Sequence, residues 1–114
     1  MAAQQPQQPF EWTYDATLYL IRLRRYYHDY FNIASHNRLR HIWTTIANTI
    51  QTNLNFAATE EQCRTKWYSL KYGYENLRRL HGLNPHNQPI SNPTMHDRRF
   101  YQELSDEFWL RAGN

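Results

Sequence analysis

From 39 to 50 the residues Leu39, Ile42, Trp43, Ile46, Ala47 and Ile50 recur at spacings of 3, 1, 3, 1 and 3. That rhythm paints one stripe on an α-helix and cannot be laid on a strand, whose side chains alternate with period two. A second stripe follows, with Cys63, Trp67, Leu70, Tyr74 and Leu77 at alternating spacings of 4 and 3. In front of it stands Thr59-Glu60-Glu61-Gln62, a capping box in which the Thr and Gln side chains satisfy each other's backbone N–H groups. Valine is absent from all 114 residues, which removes a main β-branched filler of sheet surfaces. The chain is therefore expected to be all-α, and its length suits one domain.

Four helices are expected. The first spans about 15–31, with Leu18, Leu20, Ile21, Leu23, Tyr27, Tyr30 and Phe31 as a wide apolar face and Arg22, Arg24 and Arg25 bringing charge. The second spans about 38–51 with Asn37 as N-cap. The third starts at the capping box and stops near Gly82. A Gly-, Asn-, Pro- and His-rich loop is expected over 82–92, then a fourth, amphipathic helix over about 93–110. Pro93 suits its first turn, and Tyr101, Leu104 and Phe108 stripe one side. The Gln- and Pro-rich residues 1–9 read as a disordered arm, leaving a domain over 10–110 with its three-helix part at about 12–81. Trp12, Trp43 and Trp67 are the expected core, since indole rings bury large areas.

Several chemistries lack the residues they need. No apolar run approaches the roughly 20 residues of a membrane span, and MAAQQPQQP has no signal-peptide core. Cys63 is the only cysteine and sits on the apolar stripe, so it reads as a small core residue in a reducing compartment. The six histidines show no metal-ligand spacing with one another or with Cys63, so no metal site is expected. With three glycines there is no Gly-rich phosphate loop, and no nucleophile–base arrangement stands in a recognisable context. Neither catalysis nor a cofactor nor a small-molecule substrate is implied.

The charge is +3, unevenly spread. Residues 10–83 carry ten Arg and Lys against six acids, whereas 95–114 carry three against four. At 100° per residue, Arg64, Thr65, Tyr68, Lys71, Tyr72, Glu75 and Arg79 fall opposite the core stripe of the third helix. Such a face suits a DNA major groove: Arg and Lys reach guanine edges or phosphates, and hydroxyls donate to phosphates. A merely solvated surface carries the same residue types, so composition leaves both readings open.

Motif by motif, the chain resembles the trihelix (GT-factor) branch of the Myb/SANT-like DNA-binding domains. Trp12, Thr17-Leu18 and Leu20-Ile21-Arg22-Leu23-Arg24 are similar to that branch's opening helix, with Phe31 at its later aromatic. Ile42-Trp43 with Ile46 and Ala47 resembles its second helix. Thr59-Glu60-Glu61-Gln62-Cys63-Arg64-Thr65-Lys66-Trp67, continued by Leu70 and Tyr74, looks like its third. Phe100-Tyr101 and Leu104 resemble the amphipathic helix that follows a loop. The resemblance implies a tri-helical bundle with a long third helix and an additional fourth. It implies binding of double-stranded DNA in the nucleus, in transcription regulation or as a subunit of a larger complex. Arg64, Thr65, Tyr68, Lys71 and Tyr72 would be the readers, with Lys66 and Arg79 completing the set. A competing expectation is a protein-interaction adaptor of a chromatin or DNA-modifying assembly. Glu103, Asp106 and Glu107 of the fourth helix would then be a partner surface or a homodimer contact.

Overall fold

A computed structural model describes residues 10–83 and 95–111. The expected arm at 1–9 and most of the expected loop, with Pro93, lie outside the described residues. Five helices follow in order: α1 (Tyr14–Tyr26), α2 (His28–Ile33), α3 (His36–Leu54), α4 (Glu60–Leu83) and α5 (Met95–Leu104), then a 3₁₀ turn at Phe108–Leu110. No strand occurs among the described residues.

Thr13 caps α1, its hydroxyl accepting from the Ala16 N–H at 3.1 Å. The helix expected over about 15–31 is interrupted at Tyr27, where φ −92° and ψ 10° leave the helical well. Hydrogen bonds from Tyr27 N–H to Leu23 O and from Phe31 N–H to Tyr27 O, both 3.0 Å, carry the ladder across, so α2 continues α1 after a local distortion. Helix α3 starts two residues before the expected position. Ser35, extended at φ −68° and ψ 167°, is the cap residue, and Asn37 falls in the first turn. At the other end Asn55 takes the left-handed conformation (φ 51°), which asparagine tolerates, and its N–H reaches Gln51 O at 3.0 Å.

The capping box of α4 closes as its sequence predicts. Thr59 N–H donates to Gln62 Oε1 at 2.9 Å, and Gln62 N–H to Thr59 Oγ1 at 3.1 Å. The helix runs through Gly82 and ends at Leu83, one residue past the expected stop. Helix α5 is shorter than the expected 93–110 span and ends at Leu104. Glu107 is left-handed (φ 51°), its N–H bonds Leu104 O at 3.0 Å, and its carboxylate takes the Tyr74 hydroxyl at 2.7 Å. This turn brings Phe108 and Trp109 back onto α4.

The core lies where α1, α3, α4 and α5 meet. Leu20, Ile21, Ile46, Ile50, Cys63 and Trp67 are buried there with Phe100, Leu104 and Phe108. Trp67 packs against Phe108 (5.5 Å between ring centroids) and Trp109 (5.7 Å), and Trp43 against Phe31 (5.1 Å). Trp12 is only half-buried. It packs onto the core from outside in a cluster with Phe10 and Phe56, and Trp109, equally half-buried, packs onto it beside Trp67.

Candidate nucleic-acid interface

The pairing of charges divides the molecule into two sides. Arg25 of α1 donates through Nη2 to the backbone carbonyl of Glu103 at 2.6 Å and through Nη1 to its carboxylate at 3.2 Å. It also meets Asp106 at 3.4 Å, and Arg22 approaches Glu103 at 3.6 Å. Arg78 pairs with Glu107 at 3.0 Å, and Arg111 with Asp106 at 3.4 Å. The three acids expected to greet a partner, Glu103, Asp106 and Glu107, are thus engaged within the chain. Arg22 and Arg25, expected to offer surface charge, are engaged with them.

Arg24 departs further from a surface arginine. It is 9% exposed, its guanidinium carbon 3.9 Å from the Phe31 ring centroid and 5.3 Å from that of Trp67. Nη1 donates to His28 Nδ1 at 3.0 Å, so His28 presents Nε2–H to the Arg111 carbonyl at 2.9 Å. Burial pulls the Arg24 pKa down to about 10.

The opposite side presents α4. Arg64, Thr65, Tyr68, Tyr72 and Arg79 are exposed there and Lys71 is half-buried, in the order the 100° wheel predicts. Tyr68 is 53% and Tyr72 67% exposed, although both rings are large and apolar. The Lys71 ammonium sits 5.5 Å from the Tyr68 ring centroid, and Arg79 donates to Asn76 Oδ1 at 2.7 Å. Among the described residues, Arg64, Lys71 and Arg79 are in no ion pair.

These residues are not one patch. Arg64, Tyr68 and Lys71 line a cleft of about 550 Å³ whose other wall is the first turn of α3, with His36, Asn37 and Arg40. Thr65 and Lys66 lie along the other edge of α4, in a shallow groove beside Phe10 and Trp12. Tyr72 and Arg79 lie further along the helix, in neither depression. Sequence reasoning missed the α3 wall and Arg24, which also lines the cleft. Periodicity within one helix carries no signal of which helix end will face it.

Other chemistry is muted. Cys63 is fully buried, and burial followed by the nearby Glu60 carboxylate pushes its thiol pKa up to about 12. Among the described residues no cluster of His, Cys, Asp and Glu is arranged to hold a metal, and no helix is long and apolar enough to cross a membrane.

No curated protein and no solved structure matches the chain. The model of the Myb/SANT-like DNA-binding domain family matches residues 9–107, from just before the Phe10–Trp12 cluster to the Glu107 turn. With α1 to α5 and the exposed basic face inside that span, and all of the core but Phe108, the chain belongs to the Myb/SANT-like DNA-binding domain family.

Proposed function

We propose that this domain binds double-stranded DNA by laying the exposed face of α4 in the major groove. The observation that carries the reading is the division of charge. Carboxylates neutralise the arginines along the α1–α5 seam, while among the described residues Arg64, Lys71 and Arg79 stand on α4 without a counter-ion. At 1.5 Å per residue, 64–79 spans about 22 Å, enough to follow a groove across several base pairs. Arg64 and Lys71 supply base-edge or phosphate contacts, with Thr65 and the hydroxyls of Tyr68 and Tyr72 donating to phosphates. Lys66 and Arg79 add phosphate contacts at the edge and far end of the helix. A single module of this size binds modestly, which suits a subunit of a larger assembly in the nucleus acting in transcription regulation. The motif order of α1 to α4 supports membership of the trihelix branch.

Substituting Arg64, Tyr68 and Lys71 together by Ala tests the reading. The variant should melt within a few degrees of the parent, because these side chains lie outside the core, and should lose most of its affinity for a labelled duplex. Undiminished binding would remove α4 from the interface. An adaptor role has its own support in the exposed Tyr26, Tyr30 and Ile33, at 74%, 59% and 75%, from the end of α1 to the end of α2. Binding of a chromatin protein that survives the triple substitution, with no DNA binding by the parent, would favour that reading.

A further inference from the structure

Among the described residues, Arg24 is a buried cation without an anion. Its guanidinium carbon lies 3.9 Å from the Phe31 ring centroid and 5.3 Å from that of Trp67, and among the described residues its one hydrogen-bond partner is His28 Nδ1. Its Nε–H has no acceptor, and among the described residues no carboxylate pairs with it. A desolvated charge in this condition is unfavourable unless something of opposite sign arrives. The cleft that Arg24 lines also receives the first turn of α3. Ser35 makes no side-chain cap there and that turn holds no acid, so the N–H groups and positive helix end remain available to an anion. Arg64 and Lys71 stand across the cleft, and Arg40, held to Glu60 at 3.4 Å, stands on its rim. About 550 Å³ accommodates a phosphate and several waters, at about 30 Å³ each.

We propose that this cleft is a phosphate seat in which Arg24, the N-terminus of α3 and the α4 cations Arg64 and Lys71 converge on one phosphate group. The group is a backbone phosphate of the duplex gripped by α4, so this assignment rests on the DNA reading for its source. The same chemistry would admit a free phosphate. Arg24 has no role in base recognition. It fixes where the backbone sits against the corner between α2 and α3, and so sets the register of α4 in the groove.

Two measurements on the full chain test the seat. In the parent, the Arg24 Nε–H resonance is followed by ¹⁵N NMR during titration with inorganic phosphate, against sodium chloride at equal ionic strength. The seat predicts a saturable shift at millimolar phosphate that chloride does not reproduce, and equal responses to the two salts overturn it. Arg24→Met and Arg24→Lys are then compared for duplex binding by anisotropy at several salt concentrations. The seat predicts that Arg24→Met weakens binding roughly ten-fold or more and flattens the log–log salt slope by about 0.9, with Arg24→Lys restoring much of the slope. A merely structural Arg24 would lower the melting temperature and leave the slope alone. Should Arg24→Met not fold, the resonance of the parent still decides. Duplex binding with an unchanged slope in a folded Arg24→Met overturns the seat and leaves the DNA reading standing. A phosphate-specific shift in a parent that binds no duplex removes the DNA reading and leaves a seat for free phosphate.

Discussion

Replacing Arg25 by Met separates holding α5 in place from contacting DNA. The side chain is 31% exposed and its guanidinium makes a charged hydrogen bond to the Glu103 carbonyl at 2.6 Å, with carboxylates at 3.2 and 3.4 Å. It also lies 4.9 Å from the Phe108 ring centroid. Hydrogen bonds to charged groups contribute about 1.5–3 kcal/mol, and solvent-screened ion pairs up to about 1 kcal/mol. With partial exposure weighed in, the loss is about 2 kcal/mol, since Met retains most of the apolar stem. In a domain of this size that lowers the melting temperature by roughly 8–16 °C. Thermal unfolding followed by far-UV circular dichroism measures it. A cycle with Glu103→Gln should give a coupling of at least about 0.5 kcal/mol. The salt slope of duplex binding should be unchanged, because Arg25 serves the α1–α5 seam. A melting temperature within about 2 °C of the parent would refute the assignment of α5 docking to this arginine, and a flattened salt slope would return Arg25 to the DNA surface.

Two further predictions concern buried titratable groups. Burial, reinforced by its bond to the Glu107 carboxylate, pushes the Tyr74 hydroxyl pKa above its ordinary value near 10. The unfolded chain then releases this proton first. The contribution is complete below about pH 10 and declines as pH rises above it. Urea unfolding at pH 8 and pH 10.5 should show Tyr74→Phe losing less stability over that interval than the parent. For Cys63, burial and the raised thiol pKa predict negligible alkylation by iodoacetamide at pH 8 in the native protein and rapid alkylation in urea. Rapid native labelling would mean that the α3–α4 packing opens readily.

The parts of the fold that were legible in the sequence are those fixed by neighbours three or four residues apart. The stripes of α3 and α4, and the Thr59–Gln62 box, depend on helical geometry alone and stand as their spacing predicts. The exposed face of α4 followed from the same geometry. What escaped depends on residues far apart in the chain. Arg24 and Arg25 sit in one run of charge, yet one is buried among rings and the other holds a segment 78 residues away. His28 binds a carbonyl 83 residues on, beside the distortion at Tyr27. The end of α5 at Leu104 accompanies the Glu107 turn, in which Tyr74 and Arg78 of α4 hold the carboxylate. Periodicity is blind to such pairings. The acidic residues of the C-terminal segment therefore resembled a free surface until their partners on α1 and α4 were seen.

Duplex binding by the parent chain, measured by anisotropy from low to moderate salt, bears most directly on the central claim. If α4 docks with roughly four to six phosphates neutralised, the logarithm of the affinity falls linearly with the logarithm of salt, with a slope of about −3.6 to −5.4. The same titration on the Arg64, Tyr68 and Lys71 triple alanine variant should give a clearly shallower line. No binding at the lowest salt, or identical lines for parent and variant, would contradict a DNA-docking role for α4.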